Sequence, residues 1–90
     1  MPKVFHPRKE KFVAASSPHP ENTQYKISIG EEIWGDNYIP VLKVQMIYNG
    51  EISGRRSPSY PLGTDDYDRV QSTIKELIDD SSELISKLIR

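Results

Sequence analysis

Ninety residues with no cysteine and a formal net charge of −1 describe one small domain that no disulfide can staple. A chain of this length buries only about 60–65% of its unfolded surface, so self-association is the expected support for a marginal core. No apolar run approaches the roughly 18 residues of a membrane span, and the only histidines, His6 and His19, stand in a proline-rich front. Membrane partners, secretion, a structural zinc site and any other cofactor are therefore not expected.

The near-zero total hides an asymmetry. Lys3, Arg8, Lys9 and Lys11 face only Glu10 at the front, whereas Asp65, Asp66, Asp68, Glu76, Asp79, Asp80 and Glu83 crowd the back. Residues 1–23 hold Pro2, Pro7, Pro18 and Pro20 and show no sustained apolar period. They are expected to form a flexible basic, proline-rich tail that is dispensable for folding, with Phe12 and Val13 as its only anchors. Residues 24–90 are expected to form the folded domain.

From Gln24 onward Tyr25, Ile27 and Ile29 alternate with Lys26 and Ser28, the period of a strand with two unlike faces, ending near Gly30. A second short strand is expected over 31–34, then a turn at Gly35-Asp36-Asn37. The third strand spans 39–48, where Leu42, Val44, Met46 and Tyr48 alternate with Lys43, Gln45 and Ile47. Asn49-Gly50 follows, a pair suited to the two positive-φ positions of a type I′ turn, and it folds a fourth strand (51–57) back on the third. Pro58 and Pro61 make 57–62 an irregular connection.

Thr64 or Gly63 caps a helix that no proline or glycine interrupts from 64 to 90. Tyr67, Val70, Ile74, Leu77, Leu84 and Leu88 fall on one stripe, broadened by Ile78 and Ile85. One helix of about 25 residues would be about 38 Å long, whereas a six-residue strand spans only about 20 Å. Its end overshoots the sheet. That end either frays or packs against the same helix of a second copy, and the dimer is preferred, with Val70, Ile74, Leu77, Leu84 and Leu88 as its interface. The fold class is thus α+β: a four-stranded antiparallel sheet followed by one long C-terminal helix that mediates a dimer.

Catalysis is not expected. There is no thiol, no glycine-rich phosphate loop, and the acids lie mostly along a solvated helix face. If Ile27, Ile29, Leu42, Val44 and Met46 pack under the helix, the other face presents Lys26, Ser28, Lys43 and Gln45 beside Arg55-Arg56. Trp34, Tyr38, Tyr48 and Tyr60 stand near strand ends. Cations interleaved with rings suit single-stranded nucleic acid, because cations track phosphates and rings stack on unpaired bases. The plain alternative is that one sheet face is polar in any two-layer fold and that Trp34 belongs to the core.

The run from Val41 to Ile78 resembles the C-terminal domain of the transcriptional positive cofactor four family of single-stranded-DNA-binding coactivators. The family's Ile-Gly strand end is matched by Ile29-Gly30, and its Val-Leu-Ile-x-Ile strand by Val41-Leu42-Lys43-Val44. Its terminal aromatic and Gly-Glu turn are matched by Tyr48 and Gly50-Glu51, and its Gly-Arg-Lys motif by Gly54-Arg55-Arg56. The Ser-Leu-Asn-Pro-Glu-x-Trp segment before its helix is resembled by Pro61-Leu62-Gly63-Thr64-Asp65-Asp66-Tyr67, and the centre of that helix by Ile74 to Asp80. The resemblance implies four antiparallel strands with a C-terminal helix, a homodimer through the helices, and single strands bound across the β-surface.

Carried over, the family's stacking tryptophan falls on Tyr48 and its basic pair on Arg55 and Arg56. Its strand arginine falls on Gln45 or Met46, with Gln45 preferred because alternation puts Met46 in the core. The lysine after Ile-Gly falls on Glu31, a reversal of charge. With two cations missing, fewer phosphate contacts are expected, each worth about 0.7 in the salt slope for single strands. The expected nucleic-acid residues are thus Lys26, Trp34, Lys43, Gln45, Tyr48, Arg55 and Arg56. The expected ligand is single-stranded DNA, with unpaired duplex ends and RNA as related ligands. Replication, recombination or transcription proteins are the expected further partners, in the cytoplasm, nucleoid or nucleus. The other reading is a dimeric protein-interaction module without nucleic acid.

Overall fold

The computed structural model describes residues 4–89 and runs β1 (Phe5–Ala14), β2 (Thr23–Trp34), β3 (Asn37–Tyr48), β4 (Glu51–Ser53), α1 (Asp66–Asp80), α2 (Ser82–Leu88). Pro2 and Lys3 of the expected tail and Arg90 of the expected helix lie outside those residues. The four strands make one antiparallel sheet in sequence order, and the helices follow, so the class is α+β. Among the described residues no helix is long and apolar enough to cross a membrane.

Turn chemistry sets both tight hairpins. Asn49 (φ 51°) and Gly50 (φ 81°) take the left-handed region between β3 and β4, as a type I′ turn requires. Between the paired Trp34 and Asn37, Gly35 (φ 63°) opens a two-residue loop. The strands are placed differently from the expectation, however. Residues 24–29 and 31–34 belong to one continuous strand, β2, and β4 is only three residues long. The fourth strand comes from the front of the chain: residues 5–14, expected to be tail, pair along β2 from Phe5↔Glu32 to Ala14↔Gln24.

Proline in this stretch is tolerated because β1 is an edge strand and the register shifts between Pro7 and Lys9. The charges that suggested a solvated arm are used internally. The Arg8 guanidinium reaches Glu31 at 2.6 Å, the Lys9 amino group donates to the Asp80 carbonyl at 2.9 Å, and Lys11 reaches Asp80 at 3.2 Å and Glu76 at 3.5 Å. The hydrogen bond to Asp80, outweighing partial burial, holds the Lys11 amino group above its ordinary range. The basic front thus fastens to the acidic helix.

One face of the sheet carries the core. Val13 of β1, Tyr25, Ile27 and Ile29 of β2 and Met46 of β3 are buried against Val70 and Leu77 of α1, with Leu42 and Val44 packed beside them. The helical segment breaks at Ser81 (φ −115°, ψ 17°), whose N–H donates to the Ile78 carbonyl at 3.1 Å in a tightened last turn. Asp79-Asp80-Ser81-Ser82 explains the break: short polar side chains compete for the backbone, and acids at a helix C-terminus oppose its dipole. The expected overshoot therefore does not occur as one straight rod. Beyond the break, Leu84, Ile85 and Leu88 of α2 pack against the same core.

A buried polar clamp ties the parts together. Asp66, with no exposed surface, accepts from the Ser16 N–H (3.0 Å), the Tyr25 hydroxyl (2.8 Å) and the Arg69 guanidinium (2.6 Å). Arg69 also donates to the Ala14 carbonyl at 2.9 Å and to the Ser16 hydroxyl at 3.1 Å. One carboxylate thus joins the β1–β2 loop, β2 and the start of α1.

Candidate nucleic-acid interface

The register decides which expected residues share a surface. On the face away from the helices, Phe12, Lys26 and Gln45 form one row and Glu10, Ser28 and Lys43 the next. Both lysines are compensated. Lys26 is only 8% exposed and its amino group lies 3.1 Å from the Glu10 carboxylate. Lys43 pairs with Glu32 and lies 5.0 Å from the centre of the Phe5 ring. The hydrogen bond from Lys43, then that from Trp34 at 2.7 Å, hold the Glu32 carboxyl below the ordinary carboxylate range. This surface is polar and locally neutral, not the cationic track that a strand face with two lysines suggests.

Trp34 is 55% exposed at the tip of the β2–β3 hairpin, which rules out the core role. Tyr48 stands at the far end of β3, up to about 36 Å away at about 3.3 Å per residue. By register it belongs to the helix side of the sheet, where it packs on the rim of the core. The expected site residues therefore fall into three groups: Lys26, Lys43 and Gln45 in mid-sheet, Trp34 at one tip, and Tyr48 with the arginines at the other end.

The last group is the most distinctive. Arg55 and Arg56 follow β4 into the irregular connection, are exposed, and make no ion pair among the described residues. The Arg56 guanidinium carbon lies 5.3 Å from the centre of the Tyr48 ring. Arg56 and Tyr48, but not Arg55, line a groove of about 550 Å³ that His19 and Tyr60 also line, walled by Pro18, Pro20 and Pro61 and by no carboxylate. Tyr60 is held by stacking on Tyr25 (centroids 5.2 Å apart) and by the edge of Tyr67 (5.5 Å). His19 is held by its Nε2 contact with the Ser59 carbonyl at 2.8 Å. No family model, no curated protein and no solved structure matches the chain. The site therefore has to be read from its own geometry.

That geometry sets the Arg56 guanidinium, without a carboxylate partner among the described residues, beside the rings of Tyr48, Tyr60 and His19, a cation together with ring faces. Tyr48 and Arg56 of this groove, with the neighbouring Arg55, are residues that the sequence reading singles out. His19 is not one of them, because its partner Ser59 is forty positions away and nothing local marks the pairing.

The expected helix-interface residues also divide. Val70 and Leu77 have no exposed surface and belong to the protomer's own core, with Ile74, Leu84 and Leu88 half-buried around it. The apolar surface left over is different: Ile78 (43% exposed) and Ile89 (64%), which with Ile29, Leu42, Ile85 and Leu88 line an apolar groove of about 200 Å³. Beside it the sheet has an open edge. Ile33 N–H bonds the Val4 carbonyl, and the Thr23 carbonyl accepts from Ala15, so odd positions of β2 face β1 and even positions face β3. Across the ladder, Tyr38, Pro40, Leu42 and Val44 then direct their backbone outward, where β4 covers only 46–48. Pro40 stands where the ladder to β2 needs no donor.

Proposed function

We propose that the protein is a non-catalytic, largely sequence-independent single-stranded-DNA-binding protein that acts as a homodimer. The single observation that carries the reading is the carboxylate-free groove, lined also by Tyr60 and His19, in which Arg56 lies over Tyr48; Arg55 precedes Arg56 in the chain. The motif resemblance to the positive cofactor four family, on Tyr48 and Gly54-Arg55-Arg56, supports the same residues. Service in replication, recombination or transcription follows from that resemblance alone.

The test is a fluorescence-anisotropy titration with oligo-dT and a matched duplex across a salt series. Tyr48→Ala should weaken oligo-dT binding by about 1–3 kcal/mol without changing the slope of log K against log salt. Arg55→Ala with Arg56→Ala should weaken it and flatten that slope by about 1.4, since two phosphate contacts are lost. A double arginine variant that binds like wild type at every salt concentration would sink the reading.

The dimer is supported by the exposed Ile78 and Ile89 beside the apolar groove. Because both side chains lie outside the protomer core, Ile78→Asp with Ile89→Asp should leave the fold intact and convert a sedimenting dimer to monomer. Wild type that sediments as a monomer at micromolar concentration would refute it. A second reading, a protein-interaction module, is favoured by the open edge of β3 next to that groove, a combination suited to an added strand. Absence of oligo-dT binding by wild type and by every variant alike would select it.

A further inference from the structure

We propose that Glu10 and Glu32 are built-in competitors for the phosphates of a bound strand, holding Lys26 and Lys43 so that nucleic acid engages the helix-free face only by displacing them. This rests on the reading of the chain as a single-strand-binding protein. Both lysines stand in mid-sheet, one on β2 and one on β3, and each amino group is occupied by a carboxylate from a strand, Glu10 on β1 and Glu32 on β2. A carboxylate and a phosphodiester make the same demand on an ammonium group, one negative charge and charge-assisted acceptors. Each pair meets water on one side, through the 39% exposed Glu10 side chain and the 34% exposed Lys43 side chain, so each is open to exchange from that side.

The groups between the lysines suggest that their present partners are not their only ones. Ser28, fully buried between Glu10 and Lys43 in its row, has a hydroxyl with no hydrogen-bond partner, and the Gln45 side-chain oxygen beside Lys26 has none either. Buried polar groups are ordinarily satisfied, so two orphans at the centre of one face call for an explanation. A nucleotide chain provides both complements, phosphate oxygens for the hydroxyl and base N–H groups for the amide oxygen. At the β1 margin of the same face Phe12 is 49% exposed and Phe5 stands by Lys43, which offers ring surface to unpaired bases. The groove at Tyr48 and Arg56 holds the strand unaided; the sheet face adds to it at the cost of breaking two internal pairs.

The experiment compares oligo-dT affinity and salt slope for wild type and Glu10→Gln/Glu32→Gln. In wild type the lysines arrive neutralised and release few counterions. In the variant each phosphate contact releases them, so the slope steepens by about 1.4 and affinity at low salt rises on the order of tenfold. Asp68→Asn/Asp79→Asn, with the same change of net charge on the exposed face of α1, should leave the slope at its wild-type value. Adding Lys26→Gln/Lys43→Gln to the first variant should return it there. Should the double variant unfold, each single glutamine variant carries the test, with an increment of about 0.7.

Binding of Glu10→Gln/Glu32→Gln that is no tighter than wild type, or a gain matched by the helix variant, overturns the proposal while leaving the groove reading intact. Wild type that is silent while Glu10→Gln/Glu32→Gln binds would overturn the groove reading and uphold this one. If neither binds, both fall.

Discussion

Gly30→Ala should strip β1 from the sheet. A Cβ at this position would lie 2.3 Å from the His6 carbonyl oxygen and 2.8 Å from the Pro7 Cα, and both are backbone atoms that no rotamer change can move aside. Relief requires the bulge at Pro7–Lys9 to shift, which disturbs the whole β1–β2 register. With β1 go Val13 from the core and the fastenings of Lys9 and Lys11 to α1. We expect a loss of about 3 kcal/mol, the upper end for a substituent forced into packed structure and a large share of the 5–15 kcal/mol that small domains possess. In a thermal melt that is a fall of at least about 12 °C. Gly54→Ala, where nothing lies within 4 Å and φ is not positive, is the control and should melt like wild type. Equal melting temperatures for the two variants would refute the packing of β1 on Gly30.

Asp66→Ala should cost nearly as much, about 3 kcal/mol, because it orphans the buried Ser16 N–H and loosens Tyr25 and Arg69 together. Burial alone would raise this carboxyl; the hydrogen bonds from Ser16, Tyr25 and Arg69 outweigh it and bring the group down to about 2, from an ordinary value of 3.8. The sign follows from that direction. The folded state holds the ionised form more tightly than the unfolded chain does, so the contribution is complete above about pH 4 and is lost as pH falls toward about 2. Its size is about 2 kcal/mol, since each tenfold change in proton affinity between the folded and unfolded chain is worth about 1.4 kcal/mol. Asp66→Asn keeps the shape and removes the charge. It should therefore melt lower at pH 7 and lose the part of the acid sensitivity that lies between pH 4 and 2. A wild-type stability that is flat across that window would show that the clamp is not charged in the way the geometry requires. Tyr25, whose hydroxyl is pushed above the ordinary phenol range by burial and then by Asp66, should remain protonated throughout.

Where local pattern carried the information, the sequence determined the outcome. Asn49-Gly50 specifies its turn because only a residue tolerant of positive φ serves there, and the alternation in 25–29 and 42–48 specifies which side chains share a face. The α+β class and the packing of Ile27, Ile29 and Met46 under the helix follow from those periods, whereas Val70 and Leu77, expected at a dimer interface, were assigned to the protomer's own core only by the tertiary structure. β1 was hidden because Pro7 and four charges look like a solvated arm until Gly30, which admits the bulge, and Glu31, Glu76 and Asp80, which take up the charges, are brought beside them. The break at Ser81 was written in Asp79-Asp80-Ser81-Ser82, but an apolar stripe running through it outweighed weak propensities. The status of the two mid-sheet lysines was decided by tertiary structure alone. A lysine's charge is visible in the sequence, whereas its availability depends on which carboxylate the register sets opposite it, and here Glu10 comes from a strand sixteen positions away from Lys26.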